Sequence, residues 1–256
     1  MARMTGLIFG VMSYAIFFVT FLYAMGFIAD FLVPRTIDNG PQAPLLAAIA
    51  VDLGLLGLFA VQHSGMARRG FKRWLTAWFP APVERSLYVL LSSAVLILLF
   101  WQWRPIAGAV WQVDAPWAVT LIYGVYLFGW LFLLTGTFVV NHFDLFGLRQ
   151  VWLNLRSVPY TPPQFKERLH YRLIRHPLML GFIIAFWATP VMSVGHLLFS
   201  AASTGYILIA LQLEERDLIA AHGEDYRRYK RRVPSLLPIP KPRRTDPSGV
   251  NSSISS

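Results

Sequence analysis

The feature that most constrains this chain is a series of long apolar runs with almost no charge. A run of about 20 apolar residues is enough to cross the hydrocarbon core of a bilayer as a helix. The first run covers residues 6–29, and others cover residues 43–61, 87–103 and 115–140. Because a backbone in lipid must satisfy its own hydrogen bonds, we expect four membrane-spanning helices.

A fifth apolar run, residues 177–213, is too long for a single span. It contains no Asp, Glu, Lys or Arg, and as one helix it would be about 55 Å long, against a hydrocarbon core of about 30 Å. Thr189-Pro190 and Gly195 interrupt it. We therefore predict a hairpin that turns near residues 190–195, with a short first arm. The predicted fold is an all-α integral membrane protein, with four transmembrane helices plus a C-terminal helical hairpin, or five to six membrane helices.

The composition supports a membrane protein and excludes several kinds of site. Charged residues make up 14% of the chain, whereas a soluble domain usually carries about 25%. Cysteine is absent, which excludes disulfides, thiolate metal sites and a cysteine nucleophile. The six histidines form no HxH, HxxH or HxxxH pair, so we expect no metal. The net charge of +10 lies beside apolar spans, which favours a lipid bilayer over nucleic acid as the partner.

The basic residues concentrate in the loops that these spans place on one side. Residues 63–82, residues 141–176 and the segment after residue 213 are basic, whereas the intervening loops hold few basic residues. By the positive-inside rule both termini are cytoplasmic.

The chain is predicted to form one membrane domain, residues 1–237. It divides into N-terminal helices, residues 1–140, and a region that we expect to bind a cofactor, residues 141–237. Residues 238–256 are rich in Pro and Ser and lack aromatic side chains, so we expect a disordered basic tail.

A histidine–proline pair marks the start of the hairpin. Proline disfavours helical geometry in the preceding residue and suits the first turn of a helix, so His176 should be extended and Pro177 should begin the first arm. A helix N-terminus presents free N–H groups and partial positive charge, which suit a carboxylate or phosphate. Arg175 adds a full charge, and Gly181 allows close approach of a flat ligand or another backbone. The alternative is a basic interfacial anchor.

Two adjacent acids follow the second arm of the hairpin. A helix C-terminus disfavours negative charge, so Glu214 and Glu215 are out of pattern there. A carboxylate at this place could hold an amino group or ribose hydroxyls of a ligand. The alternative is an ion pair with Arg172 or Arg175.

A pair of tyrosines lies in the segment after these acids. Tyr226 and Tyr229 are three residues apart and therefore share a helix face. With Leu236 and Leu237 they are predicted to form a flap that packs back on the membrane. The alternative is an amphipathic helix at the interface.

These pieces occur together in a known order. RHPLMLG, an apolar hairpin, EERDL and HGEDYRRYKRRVPSLLP resemble the isoprenylcysteine carboxyl methyltransferase group of integral-membrane methyltransferases. The resemblance covers roughly residues 170–237. It implies S-adenosylmethionine (SAM) bound at the cytoplasmic end of the bundle without a Rossmann fold, with S-adenosylhomocysteine as the product. The group often has Tyr where this chain has Met179. The implied cofactor-binding residues are Arg175, His176, Pro177, Leu180, Gly181, Glu214, Glu215, Tyr226 and Tyr229.

Three further segments narrow the resemblance. QHSGMARRGFKRW from residue 62, PAPVERSLYVLLSS from residue 80 and NHFDLFGLRQVW from residue 141 are similar to the membrane methanethiol S-methyltransferases, so that the resemblance spans nearly the whole chain. It implies SAM-dependent methylation of a small volatile thiol, methanethiol to dimethyl sulfide, with hydrogen sulfide as a further acceptor. It also implies a bacterial inner membrane and no metal.

Methylation of a thiol requires a thiolate and hence a base near the acceptor sulfur. A Cys thiol has a pKa of about 8.5, and an apolar pocket raises a thiol pKa further. His142 is the first choice, because histidine titrates nearest neutral pH, with Asp144 as its orienting partner. Arg149 and Tyr171 are the other catalytic candidates. The alternative is that His142 and Asp144 cap the fourth helix.

Polar residues on the same side could line a substrate pocket. Gln62 and His63 close the second span, and Asn141 directly precedes the proposed base. The alternative for Gln62 and His63 is an interfacial polar pair. Asp52 lies roughly 15 Å along the helix from Gln62, which places it near mid-membrane and away from the predicted cytoplasmic site. We therefore expect it to make a structural hydrogen bond.

Other functions remain open at the level of sequence. The same fold could methylate a lipid thiol, an isoprenylcysteine-type carboxylate or a phospholipid amine. A membrane reductase would use NADPH instead, and its 2′-phosphate needs additional basic groups. A transporter is disfavoured, because the charges collect at one face and not at the midplane.

Overall fold

The computed structural model describes residues 1–162 and 169–238, which are mostly helical. The predicted disordered tail lies outside the described residues, apart from residue 238. Ten α-helices form the described part of the chain: α1 Ala2–Ile28, α2 Leu45–Ala67, α3 Arg69–Trp78, α4 Glu84–Gln102, α5 Pro116–Val140, α6 His142–Leu145, α7 Leu148–Leu155, α8 His170–Leu173, α9 Pro177–Trp187 and α10 Val194–Arg232. A 3-10 turn, Ala81–Val83, leads into α4, and two strands, β1 Ala109–Gln112 and β2 Val191–Ser193, pair antiparallel.

Five of the described helices are long and apolar enough to cross a membrane: α1, α2, α4 with its preceding 3-10 turn, α5 and α10. The four predicted spans and the second arm of the hairpin are therefore confirmed. Helix α2 runs on to Ala67, beyond the predicted end at residue 61, because polar but helix-compatible residues continue it. The chain is a multi-pass membrane protein with an all-α fold.

The final apolar run folds as the predicted hairpin. Helix α9 has 11 residues, or about 16 Å, so it covers roughly half of the hydrocarbon core. The chain then turns through β2, which pairs with β1 from the connection between α4 and α5. This ribbon satisfies backbone groups that lipid could not, and it allows the first arm to end early. The ribbon was not predicted, because strands of four and three residues carry no readable alternation.

Six apolar helices close into a ring. Neighbours pack in the order α1, α4, α2, α10, α9, α5. Helix α5 returns to α1 where the rings of Phe21 and Trp130 meet edge to face at 5.1 Å and the Tyr126 hydroxyl donates to the Met25 carbonyl. We call one end of this ring the basic end. It is formed by the first residues of α1, α4 and α9 and the last residues of α2, α5 and α10, next to the basic segments.

Helices α5 and α9 touch through their backbones. A Cβ atom on Gly181 would lie 2.8 Å from the Gly129 carbonyl oxygen and 2.8 Å from Cβ of Leu133. A Cβ atom on Gly129 would lie 2.9 Å from the backbone nitrogen of Ala185. Gly181 was predicted to admit a flat ligand or another backbone, and the structure places the backbone of α5 there.

Alanine at Gly181 is expected to destabilise the helix pair. The methyl group would meet backbone atoms that cannot move aside, and overpacking of this kind costs about 1–3 kcal/mol. For a chain of this size that lowers the melting temperature by about 2–4 °C per kcal/mol. Gly124→Ala is the matched control, since nothing lies within 4 Å of its Cβ position. Thermal unfolding in detergent checks this, and equal melting temperatures for the two variants would contradict the backbone contact.

Candidate functional site

A break in α10 brings the segment around residues 234–235 to the start of α9. Gly223 has φ 56° and ψ −128°, in the left-handed half of the map that glycine adopts without strain. The residues beyond it fold back, so that the Arg175 N–H donates to the Pro234 carbonyl at 2.9 Å and the His176 N–H donates to the Ser235 carbonyl at 3.1 Å. The segment after Gly223 is thus fixed to the start of α9 by backbone hydrogen bonds.

The Glu215 carboxylate lies at the centre of this junction and is 8% exposed. Its Oε1 atom accepts from Arg175 Nε at 2.8 Å and from Nη2 at 2.5 Å. The same oxygen lies 3.1 Å from His176 Nε2, and Oε2 lies 2.6 Å from Lys230 Nζ. For Glu215 the structure therefore contains the internal ion pair with Arg175 that was the alternative to ligand binding.

Glu214 has a different environment from Glu215. Its side chain is 49% exposed, and its Oε2 atom lies 3.7 Å from His176 Nδ1. Successive residues on a helix point about 100° apart, so the two adjacent acids are not buried to the same extent. Glu214 is left at the edge of the network, where a ligand can reach its carboxylate.

The two tyrosines of the predicted flap pack against each other, and Tyr229 also bonds to α8. Tyr226 and Tyr229 are each 1% exposed, and the Tyr229 hydroxyl donates to the Tyr171 carbonyl at 2.6 Å. Burial, together with the neighbouring Glu214 and Tyr229, raises the pKa of the Tyr171 phenol. Tyr171 is therefore protonated at neutral pH, and it belongs to this cluster and not to the one around His142.

Helix α9 begins at the predicted residue, but the residue before it is non-helical without being extended as expected. Pro177 is its first residue, and His176 before it has φ −126° and ψ 65°. The Leu180 N–H donates to the His176 carbonyl at 3.2 Å. The first turn of a helix has no intrahelical acceptor for its N–H groups. The positive end of α9 thus lies beside Arg175 and Glu214, and we call these residues with Glu215, Lys230 and the tyrosines the α9 cluster.

His142 lies in a second polar cluster, between α1, α5 and α6. Its imidazole is 6% exposed, with Nδ1 at 2.8 Å from the Thr137 hydroxyl and Nε2 at 2.8 Å from the Tyr14 hydroxyl. The Thr137 hydroxyl donates to the Leu134 carbonyl at 2.6 Å. A hydroxyl has one proton, so Thr137 accepts from Nδ1–H. The lone pair of Nε2 therefore faces the Tyr14 hydroxyl.

Aromatic rings enclose this imidazole. Phe138 stacks on it at 4.4 Å with a 7° angle between the planes, and Phe146 meets it edge to face at 4.9 Å. Burial lowers the pKa of His142 below its ordinary value, because an apolar surrounding disfavours the imidazolium. The ring is therefore neutral at neutral pH, and the lone pair of Nε2 accepts the hydrogen bond of the Tyr14 hydroxyl.

The expected pairing of Asp144 with His142 is corrected by the structure. Asp144 Oδ1 accepts from Arg149 Nη1 at 2.9 Å, and Oδ2 accepts from the Tyr160 hydroxyl at 3.1 Å. Thr137 occupies the orienting position instead. Asp144 and Arg149 thus form a pair of their own beside the histidine.

The reason for this change is the backbone at Asn141. This residue has φ 146° and ψ 90°, a strained conformation that costs on the order of 1–3 kcal/mol. It turns His142 back onto the end of α5, where Thr137 lies. The Asn141 side chain accepts from the Asp144 N–H at 3.2 Å, so Asn141 caps α6.

Gln62 and His63 make their contacts with α4. The Tyr88 hydroxyl lies 2.8 Å from His63 Nε2, and Ser92 Oγ lies 3.3 Å from both His63 Nδ1 and Gln62 Nε2. This third cluster is at the basic end of the ring, between α2 and α4, whereas His142 lies between α1 and α5. No hydrogen bond of the described residues joins the two clusters.

Two further features complete the description. Asp52 Oδ1 accepts from the Arg104 N–H at 2.9 Å at the opposite end of the ring, which is the structural hydrogen bond that was expected. At the basic end, a cleft of about 540 Å³ opens between α3, α4, α6 and α7, lined in part by Lys72, Arg85 and Asp144. Within residues 1–162 and 169–238, no three His, Asp or Glu side chains are grouped to hold a metal ion.

Three residues of these polar clusters were not predicted from the sequence. Tyr14 lies within the first apolar run, where a polar residue inside a span is a functional hypothesis by default, and that signal could have identified it. Thr137 carries no comparable signal, because hydroxyls in spans commonly bond their own helix, as Thr20 does with Ile16. Lys230 is one of several basic residues in its segment, and only its tertiary contact with Glu215 distinguishes it.

The chain is similar to several known proteins. The profile of the NnrU protein family matches residues 53–229. Methanethiol S-methyltransferase of Mycobacterium tuberculosis is 54% identical over 240 residues, which are 94% of this chain and 98% of that protein. Methanethiol S-methyltransferase 2 of Bradyrhizobium diazoefficiens is 52% identical over 96% of this chain and 95% of its own. Nurim of Mus musculus is 31% identical over 68% of this chain and 69% of its own. No solved structure matches the chain.

Proposed function

Because the chain belongs to the NnrU protein family and to the methanethiol S-methyltransferases, we propose that it transfers a methyl group from SAM to methanethiol. The products are dimethyl sulfide and S-adenosylhomocysteine. The observation that carries the assignment of SAM is the α9 cluster, which presents a helix N-terminus and a half-exposed carboxylate side by side.

The residues of the α9 cluster suit the polar groups of SAM, which are a carboxylate, an ammonium group and ribose hydroxyls. The first turn of α9 can receive the carboxylate, because unpaired N–H groups and the helix dipole attract an anion. Glu214 can accept hydrogen bonds from the ammonium group or the hydroxyls. Glu215 is a positioning residue, because it holds Arg175, His176 and Lys230 around the binding surface.

Bound SAM supplies an activated methyl group on a sulfonium, and its in-line displacement by a thiolate neutralises charge. The protein mainly aligns the two sulfur atoms, and alignment contributes up to about 7–11 kcal/mol in ideal cases. The protein must also remove the proton of the thiol. His142 is the base of this proposal, since burial keeps it neutral and the contact of Nδ1 with Thr137 makes Nε2 the nitrogen that can accept a proton.

The proposal also covers the membrane in which the protein lies and the division of its single domain into regions. The two relatives named methanethiol S-methyltransferase above are bacterial, and the basic end of the ring faces the cytoplasm by the positive-inside rule. The protein is then a multi-pass protein of the bacterial inner membrane with both termini in the cytoplasm. Residues 141–237 form the cofactor-binding region of a single domain, on the N-terminal helices of residues 1–140.

Glu214→Gln is expected to weaken SAM binding with the fold unchanged. Glutamine keeps the size of the side chain but removes the charge, and a hydrogen bond to a charged group is worth about 1.5–3 kcal/mol, or roughly ten- to hundredfold in Kd. Calorimetry on detergent-purified protein measures this.

Glu224→Gln is the matched control for this experiment. Glu224 lies on the same helix in an exposed ion pair with Arg227, and we expect SAM to bind this variant as it binds the wild type. A wild-type protein that binds NADPH in place of SAM would contradict the proposal and favour a reductase. Unchanged affinity in Glu214→Gln would contradict the role of Glu214.

A further inference from the structure

The proposed base cannot itself contact a thiol in this structure. Both ring nitrogens of His142 are engaged, Nδ1 by Thr137 and Nε2 by Tyr14, and the imidazole is 6% exposed. Phe138 and Phe146 cover its face and edge. Any proton that reaches Nε2 must therefore come through the hydroxyl of Tyr14, a residue of α1 whose side chain is partly exposed.

We propose that Tyr14 is the catalytic residue that takes the proton of the acceptor thiol while passing its own proton to Nε2 of His142. Thr137 is a positioning residue in this relay, because it holds the proton of the imidazole on Nδ1. The inference rests on the proposed function and extends it to a residue of the first helix.

The step balances in atoms and charge. The S–H bond breaks and its proton forms a bond to the Tyr14 oxygen, while the proton of Tyr14 moves to His142 Nε2. The electron pair of the thiol sulfur forms the new S–C bond, and the pair of the broken sulfonium C–S bond stays on the S-adenosylhomocysteine sulfur. The imidazolium then returns its proton through Tyr14 to solvent. The net charge of the site is unchanged during transfer, since the imidazolium appears as the sulfonium charge is lost.

The surroundings of Tyr14 suit a small apolar acceptor. Its ring packs with Phe17 at 6.0 Å and Phe146 at 6.2 Å. These aromatic rings favour a volatile apolar thiol over water. Because apolar surroundings also raise the pKa of the thiol, the thiol needs the relay to lose its proton. The charged groups near α6 are engaged elsewhere: Asp144 with Arg149, and Arg85 with the Leu145 carbonyl.

Tyr14→Phe tests the relay, because it removes the hydroxyl and keeps the ring. We expect SAM to bind as in the wild type and turnover near pH 7 to fall about a hundredfold or more. The variant must wait for thiolate formed in solution, so its turnover should rise about tenfold per pH unit towards the thiol pKa, which is about 8.5 or above. The wild type should be nearly flat over that range.

Tyr23→Phe is the matched control on the same helix. Its hydroxyl donates to the Arg35 carbonyl at 3.1 Å at the opposite end of the ring, and this variant should keep the wild-type turnover and pH profile. A more acidic thiol such as trifluoroethanethiol should narrow the difference in turnover between Tyr14→Phe and the wild type, since this thiol ionises without a base. A merely structural role of Tyr14 would lower turnover equally for every thiol and at every pH.

The outcomes separate this inference from the proposed function. A wild type that forms no dimethyl sulfide would overturn both. An active wild type with a Tyr14→Phe variant of equal turnover and equal pH profile would overturn the relay alone. If Tyr14→Phe does not fold, Thr137→Val provides the test. This variant lacks the hydroxyl that holds the imidazole proton on Nδ1, so we expect kcat to fall about tenfold or more with SAM affinity unchanged. An unchanged kcat in that variant would also overturn the relay.

Discussion

Glu215→Ala is expected to abolish SAM binding and to lower the thermal stability of the protein. The substitution leaves Arg175 and Lys230 without the carboxylate that they share. Removing one partner of a buried ion pair costs about 3–5 kcal/mol, because the remaining charge is uncompensated. Arg175 also donates to the Lys230 carbonyl, so its displacement should release the segment after Gly223 from the start of α9. Thermal unfolding and calorimetry with SAM measure both effects.

The control for this prediction is Glu224→Ala on the same helix. Its side chain is exposed and paired with neighbouring arginines, so neither melting temperature nor SAM affinity should change. A Glu215→Ala protein with wild-type stability and undiminished SAM binding would show that the network around Glu215 does not organise the site.

His142→Ala is expected to lower turnover by about 10²–10⁴-fold, the usual contribution of a positioned acid or base. SAM binding should be kept, because His142 lies between α1, α5 and α6 and not in the α9 cluster. Dimethyl sulfide formation measured beside SAM affinity separates the two effects. His222→Ala, at an exposed position, is the control and should leave both unchanged.

The pH dependence of the wild type provides a second check on His142. Only the neutral imidazole can accept a proton, and burial lowers the pKa of His142 below the ordinary value of about 6.5. Turnover should therefore persist as the pH falls below about 6.5 and should be lost only as the pH passes through the lowered pKa. His142→Ala should lack this acid limb. Turnover of His142→Ala equal to the wild type from about pH 6 to about pH 9 would exclude His142 as the base.

Local sequence signals account for most of the fold. The uncharged runs predict the spans because length and apolarity alone decide whether a helix can cross lipid. The turn of the hairpin follows from Thr189-Pro190 and the start of α9 from His176-Pro177, both through the steric effect of proline on its neighbour. The β1–β2 ribbon could not be predicted, since it depends on pairing between residues about 80 positions apart.

The candidate site was predictable in position but not in detail. Charge and spacing placed Arg175, Glu214 and Glu215 at one end of the bundle, yet the rotation of α10 decides which acid is buried. The pairing of His142 with Thr137 depends on the backbone of Asn141, and its pairing with Tyr14 joins helices that are distant in the chain. Such contacts arise from tertiary packing, which residue spacing does not encode.

The central claim is that this protein moves a methyl group from SAM to methanethiol. The most direct test is headspace gas chromatography with mass detection on detergent-purified protein, given methanethiol and SAM with a deuterated methyl group. We predict dimethyl sulfide that carries the deuterated methyl group, in an amount equal to the S-adenosylhomocysteine formed. Bound SAM without labelled dimethyl sulfide would contradict methanethiol as the acceptor, and the absence of both binding and product would contradict the account as a whole.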